Sequence, residues 1–177
     1  MQASNIVRRY NWGTIVNRRR STSQSTHKPR LRRLDWLYTD SPLFFVTTAT
    51  HRRRRMLDRD DIHRALIAFF GNAGKRGVFV GRYVLMPDHL HLFVAIAPGG
   101  QSLSRWVQIL KIALAKPLRA EECSSPFWQK GFFDHVLRSA ESYSRHWEYV
   151  RRNPVRAGLV KKAEDWPYQG EIFCLQL

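Results

Sequence analysis

The chain has 177 residues, and its 30 basic residues against 14 acidic ones leave a formal charge of +16. A hydrophobic content of 44% with 12% aromatic residues excludes a wholly disordered protein. No apolar run approaches the roughly 18–20 residues of a transmembrane helix, so we expect no membrane partner. The two cysteines, Cys123 and Cys174, lack the spacing of a disulfide framework or a zinc knuckle, which favours a cytoplasmic protein. Because Lys and Arg neutralise phosphates, the charge indicates a nucleic-acid partner.

Residues 1–34 form a basic arm that contains no acidic residue. Its basic side chains include the run Arg18, Arg19 and Arg20, followed by a short polar stretch at residues 21–26. An arm of this composition is typically mobile until it meets nucleic acid, and we predict that these three arginines bind DNA. The rest of the chain, residues 35–177, is predicted to be one folded domain.

The first half of this domain predicts three strands and one helix. Residues 43–50 are rich in β-forming side chains and predict a strand. Asp60 is the predicted N-cap of a helix that ends at Gly71. Residues 78–86 and 89–96 predict two further strands, joined by a tight connection and therefore antiparallel.

The second half predicts a helix, a strand and a final helix. Ser102 caps a helix with an apolar face, and residues 127–137 read as a fourth strand with a glycine bend. Ser139 caps the last helix, which Pro154 ends. The order β-α-β-β-α-β-α predicts an α+β protein with a ferredoxin-like split βαβ fold, an antiparallel sheet and an appended C-terminal helix.

Two histidines share one face of the third strand. Because strand residues alternate between faces, Leu90, Leu92 and Val94 point to the core while His89 and His91 point away from it. Two neutral imidazoles at i and i+2 can hold one divalent ion and leave room for oxygen ligands and substrate. The alternative is a pair of ordinary polar residues on a solvated sheet face.

The last helix carries a tyrosine away from its apolar stripe. Tyr143, Trp147 and Val150 follow the spacing of a core-facing stripe, whereas Tyr149 lies off it. Asn153 is four residues further on, so one helical turn brings phenol and carboxamide together. An ordinary surface tyrosine is the alternative. Tyr143 competes as a nucleophile but has no asparagine one turn later.

Three motifs in order carry a resemblance to a known family: MPDHLHLFV (86–94), FWQKGFFDHVLRS (127–139) and YVRRNPVRAGLV (149–160), with WPY (166–168) after them. They resemble the REP-associated tyrosine transposases, bacterial relatives of the single-tyrosine HUH insertion-sequence transposases. The resemblance implies a ferredoxin-like fold and an enzyme that cuts and rejoins single-stranded, hairpin-forming DNA. Relatives occur as dimers and as monomers, so the oligomeric state stays open.

The resemblance also implies a role for each site residue. His89 and His91 match the two metal-binding histidines, Tyr149 matches the nucleophile, and Asn153 matches the polar residue that completes the metal shell. A bound Mg²⁺ or Mn²⁺ polarises the scissile phosphate, and attack by tyrosine leaves a 5′-phosphotyrosine and a 3′-hydroxyl. Rejoining then needs no nucleotide cofactor, and the chain has no GxxxxGK[ST] phosphate loop.

Basic clusters flank these motifs. They are predicted to contact the DNA backbone and comprise Arg52, Arg53, Arg54, Arg151, Arg152 and Arg156. Two other functions remain open. A non-catalytic nucleic-acid-binding module could use the same fold, and an RNA-binding domain would need stacking aromatics where His89 and His91 lie.

Overall fold

The structure, a computed structural model, describes residues 42–120 and 125–175. The predicted basic arm, with Arg18, Arg19 and Arg20, lies outside the described residues. Five strands form one antiparallel sheet in the order β4-β1-β3-β2-β5. The strands are β1 (Leu43–Ala49), β2 (Val78–Leu85), β3 (His89–Ile96), β4 (Phe133–Leu137) and β5 (Gln169–Glu171). The first four follow the predicted ferredoxin-like arrangement, which is confirmed.

Four α-helices accompany the sheet in the described ranges. They are α1 (Asp60–Gly71), α2 (Leu103–Arg119), α3 (Ala140–Arg151) and the four-residue α4 (Asn153–Arg156). Short 3₁₀ turns cover His51–Arg53, Ala73–Arg76 and Ala163–Asp165. None of the helices described is long and apolar enough to cross a membrane.

The sheet separates two apolar layers. One layer joins α1 and α2 to the sheet face that carries Leu90 and Leu92, with Trp106 fully buried in it. The other joins α3 to the opposite face, where Phe93 packs with Tyr143 and Val150. Since His89 and His91 share the strand face of Phe93, they lie on the side of the sheet that α3 covers.

Several element boundaries differ from those predicted. The fourth strand begins at Phe133 rather than at residue 127, because Gly131 takes a left-handed backbone (φ 69°) and Trp128 makes only an isolated bridge to Thr50. Strand β5 was not predicted, since three residues give too short a pattern to recognise. It pairs with β2 and so extends the sheet beyond the four-strand core.

The helix ends also differ in part. Ser139 caps α3 as predicted, its Oγ accepting from the Ser142 backbone N–H at 3.1 Å. Asp60 is instead the first residue of α1, and the N-cap position belongs to Arg59. Helix α3 ends at Arg151, and Pro154 lies in the first turn of α4, where a missing N–H costs no helical hydrogen bond.

Candidate functional site

A pair of imidazoles lies at the start of β3. The ring centroids of His89 and His91 are 4.6 Å apart, with the ring planes at 85°. Both side chains are half-buried, so the pair does not lie on the open, solvated face that was the alternative reading. The centroid of the Phe45 ring lies 5.5 Å from that of His91 and 5.4 Å from that of His146 on α3. This ring therefore joins the histidine pair to α3.

Each imidazole is held through its Nδ1 atom. The Nδ1–H of His89 donates to Asp88 Oδ1 at 2.6 Å, and His91 Nδ1 shares a hydrogen bond with Thr47 Oγ1 at 2.8 Å. Arg53 lies 3.4 Å from the other carboxylate oxygen of Asp88 and so holds that carboxylate in turn. A carboxylate on Nδ1 leaves the lone pair on Nε2, which is the arrangement of a metal-binding histidine.

The electrostatic surroundings keep both rings neutral. Burial lowers the pKa of His89, although hydrogen bonding and charge from Asp88 oppose the effect. Burial also lowers the pKa of His91 to about 3, and the positive charges of Arg53 and Arg156 add to the decrease. A neutral imidazole is the form that binds a metal ion, so the pair is ready for one at neutral pH.

Tyr149 projects from the exposed side of α3. Its side chain is 63% exposed, whereas Tyr143 and Val150 are buried and Trp147 is partly buried against the same layer. The predicted core stripe is thus confirmed. Burial raises the pKa of the Tyr143 phenol, and its position in the core removes it from any substrate. Of the two tyrosines on α3, only Tyr149 is exposed enough to meet a bound molecule.

Arg156 connects Tyr149 with Asn153. The guanidinium carbon of Arg156 lies 3.9 Å from the centroid of the Tyr149 ring, and its Nη2 donates to Asn153 Oδ1. The helix is interrupted at Arg152, so Asn153 begins α4 instead of continuing α3. The guanidinium of Arg156 therefore links the phenol and the carboxamide, a contact that was not predicted from the sequence. In the sequence, the one signal for this link is the spacing of Tyr149, Asn153 and Arg156 by four and three residues.

Five of the other basic residues named from the sequence lie within the described ranges, and Arg53, Arg54, Arg151 and Arg152 have side-chain partners there. Arg54 Nη2 donates to the Pro126 carbonyl, and Arg151 and Arg152 both pair with Glu148, at 3.4 and 2.7 Å. Arg52 and Arg53 adopt left-handed backbone, with φ of 55° and 56°. Non-glycine residues rarely do so, and such conformations concentrate at functional sites.

The donor atoms around the histidine pair suit a divalent ion that keeps open positions for oxygen ligands. Across residues 42–120 and 125–175, no cluster of three or more His, Cys, Asp and Glu side chains could hold a metal. A metal on His89 and His91 would therefore take its other ligands from amide, water or substrate oxygens. Imidazole nitrogens suit first-row transition ions, whereas amide, water and phosphate oxygens suit Mg²⁺ and Mn²⁺, so a mixed set of this kind fits Mn²⁺ best. The residues present fit an ion of this kind.

Comparison with known proteins identifies a family and two named relatives. The sequence model of the family described as "Transposase IS200 like" matches residues 43–153. A REP-associated tyrosine transposase of Escherichia coli (strain K12) is 27% identical over 133 residues, which cover 74% of this chain and 77% of that protein. A Haemophilus influenzae protein named for the same class is 25% identical over 142 residues, or 74% of this chain and 80% of its own.

The fold is shared by a solved structure of a related protein. It is described as a REP-associated tyrosine transposase bound to a REP hairpin, and it superposes with a TM-score of 0.61 at 24% identity. The match covers 80% of this chain and 82% of that one. Together with the sequence matches, it confirms the resemblance inferred from the three motifs.

Proposed function

Because the chain belongs to the family of IS200-like transposases, we propose that it cuts and rejoins single-stranded DNA beside a hairpin through a covalent bond to Tyr149. One observation carries this proposal. Helix α3, which bears the exposed Tyr149, packs on the sheet face that bears the neutral, oriented imidazoles of His89 and His91. A relative with the same fold is described as bound to a REP hairpin, which supports hairpin DNA as the substrate. A substrate of this kind supports the expected cytoplasmic location.

The reaction is a transesterification at phosphorus. The phenol oxygen of Tyr149 attacks the scissile phosphate, its bond to phosphorus forms, and the bond from phosphorus to the 3′ oxygen breaks. The phenolic proton passes to water, and the departing 3′ oxygen gains a proton. The product is a 5′-phosphotyrosine with a free 3′-hydroxyl. Attack by a second 3′-hydroxyl reverses these steps and rejoins a strand without a nucleotide cofactor.

His89 and His91 would hold a divalent ion through their Nε2 atoms, with Asn153 Oδ1 as an oxygen ligand. Bound Mg²⁺ or Mn²⁺ would supply positive charge at the phosphate and orient it for in-line attack. The chain's own part is preorganisation. Asp88 and Thr47 fix the two imidazoles before the ion arrives, so little reorientation is needed on binding.

No general base is assigned to a side chain. Three acidic or basic groups near the motifs have structural partners: His135 stacks on His146 with centroids 5.5 Å apart, Glu148 pairs with two arginines, and Asp88 holds His89. Water is therefore the proposed proton acceptor. Arginines beside the tyrosine and after β1 would bind the DNA backbone, which positions a strand without reading its sequence.

The test is formation of a covalent adduct. Purified protein is incubated with a panel of end-labelled single-stranded hairpin oligonucleotides and Mn²⁺, and adducts are resolved on a denaturing gel. We expect an adduct that maps by peptide mass spectrometry to Tyr149 and disappears in Tyr149→Phe. Since this side chain is exposed, the free energy of unfolding of the variant should lie within about 0.5 kcal/mol of the wild-type value.

Tyr143→Phe is the matched control, because it removes a hydroxyl from the same helix but on the buried side. It should form the adduct at the wild-type level. An adduct that survives Tyr149→Phe would refute the assignment of the nucleophile. Hairpin binding by the wild type without any adduct would support a non-catalytic DNA-binding module instead.

A further inference from the structure

Arg156 occupies an unusual position among the basic residues of the site. Most of the arginines around α3 pair with a carboxylate, whereas the guanidinium of Arg156 lies on the Tyr149 ring and donates to Asn153 Oδ1. Its charge also reaches His91. One cation thus touches the proposed nucleophile and a proposed metal ligand, and acts on a second ligand through space.

A guanidinium and a divalent ion compete for the same oxygen. Both are positively charged and seek the carbonyl oxygen of Asn153, and on one atom they would lie only a few ångströms apart and repel each other. Arg156 is exposed at the surface, so its side chain is free to rotate away. A guanidinium so displaced remains next to the phenol, where a phosphate would lie during attack, and arginine binds phosphate oxygens well.

We propose that Arg156 is a positioning residue that holds Tyr149 and Asn153 together, and that a divalent ion bound to Asn153 displaces its guanidinium onto the DNA phosphate. This inference rests on the proposed function, since it assumes that Asn153 is a metal ligand. Arg156 therefore acts against metal binding and in favour of cleavage. A residue with only a structural role would not have these opposite effects.

Metal affinity gives the first test. Mn²⁺ is titrated into DNA-free protein and its binding is measured by calorimetry, for the wild type, Arg156→Gln, Arg152→Gln and His91→Ala. Arg156→Gln should bind Mn²⁺ roughly fivefold to tenfold more tightly, which is the effect of one lost charge-assisted hydrogen bond at an exposed site. Arg152→Gln removes the same charge one turn away, where Arg152 pairs with Glu148, and should change the affinity by less than about twofold.

Cleavage gives the second test. At saturating Mn²⁺, Arg156→Gln should form the covalent adduct at least about tenfold more slowly, because the phosphate loses a charged partner. Arg156→Lys keeps the charge and should recover part of that rate. The combination of tighter metal binding and slower cleavage distinguishes a transferred guanidinium from a simple loss of folding.

NMR of ¹³C-labelled tyrosine gives a readout that does not depend on DNA. The Tyr149 ring signal, assigned by its loss in Tyr149→Phe, should shift when Mg²⁺ is added to the wild type, because the guanidinium changes its position over the ring when it leaves Asn153. In Arg156→Gln the metal-dependent shift should be much smaller. If Mg²⁺ binds to the wild type and the Tyr149 signal does not shift, the proposed movement of Arg156 is overturned.

The outcomes separate the two proposals. Equal Mn²⁺ affinity in Arg156→Gln and the wild type, with affinity still lost in His91→Ala, would overturn the role of Arg156 and leave the metal site intact. Unchanged affinity in His91→Ala would overturn the proposed metal site, and the role of Arg156 with it. If Arg152→Gln raises the Mn²⁺ affinity as much as Arg156→Gln does, the effect comes from the loss of any nearby positive charge. That result would refute a specific role for the contact between Arg156 and Asn153.

Discussion

The buried histidine of helix α1 predicts a loss of stability in mild acid. His63 is 1% exposed, and its Nε2 shares a hydrogen bond of 2.9 Å with the hydroxyl of Tyr83, which is equally buried on β2. Burial lowers the pKa of His63 from 6.5 to about 4, although the charge of Asp60 opposes the decrease. The folded state therefore keeps this ring neutral in a pH range where the unfolded chain protonates it.

The size of the effect follows from this pKa difference. Neutral His63 contributes fully to stability above its unfolded pKa of 6.5, and the contribution is lost as the pH falls toward the folded value of about 4. A difference of this size corresponds to about 3 kcal/mol, of which about 2 kcal/mol is lost between pH 7 and pH 5. Below pH 4 both states carry the proton, and this residue causes no further loss.

Urea unfolding at pH 7, 6 and 5 measures the prediction in the wild type and in His63→Gln. Glutamine can still bond to the Tyr83 hydroxyl but does not titrate, so the variant should lose about 2 kcal/mol less than the wild type over this range. The titration of His89 and His91 occurs in both proteins and cancels in the difference. Equal losses in the two proteins would refute the assignment of the acid sensitivity to His63.

Further predictions concern two glycines with positive φ and the histidine pair. Gly77 has φ +68° and an added Cβ would lie 2.8 Å from Gly100 Cα, so Gly77→Ala should lower the free energy of unfolding by about 2–4 kcal/mol. Gly99 has φ +72° with open space around it, so Gly99→Ala should cost only about 1 kcal/mol in the same urea assay, and equal costs would exclude the clash. Thr47→Val removes the hydroxyl that orients His91 and should weaken Mn²⁺ binding by about tenfold in calorimetry, with adduct formation recovered at high Mn²⁺. An unchanged affinity would mean that Thr47 does not prepare the site.

The spacing of apolar residues predicted the structure most reliably where one face of a strand or helix packs against the core. Leu90 and Leu92 are fully buried as their alternation predicted, and the bounds of β3 agree with the predicted residues 89–96. Burial of alternate residues is a strong constraint, since a shift by one residue would turn every side chain to the other face. The stripe of Tyr143 and Val150 was predictable for the same reason, at helical spacing.

Pattern failed where backbone conformation or short length decided the outcome. Residues 127–132 contain strand-forming side chains, but the left-handed Gly131 ends the pairing before Phe133. Strand β5 forms because the edge of β2 offers unpaired backbone groups, which its three residues do not reveal by themselves. The break at Arg152 likewise depends on how Pro154 enters the next turn.

The amino-acid sequence alone determined the class of fold, the pairing of His89 with His91 on one strand face, and the position of Tyr149 outside the core stripe. These features depend on periodicity and on residues close together in the chain. Only the tertiary structure decided that α3 covers the histidine face, that Asp88 and Thr47 orient the two rings, and that Arg156 lies between the tyrosine and the asparagine. Such contacts depend on how the sheet brings distant segments together and on burial, which also sets the charge of each histidine.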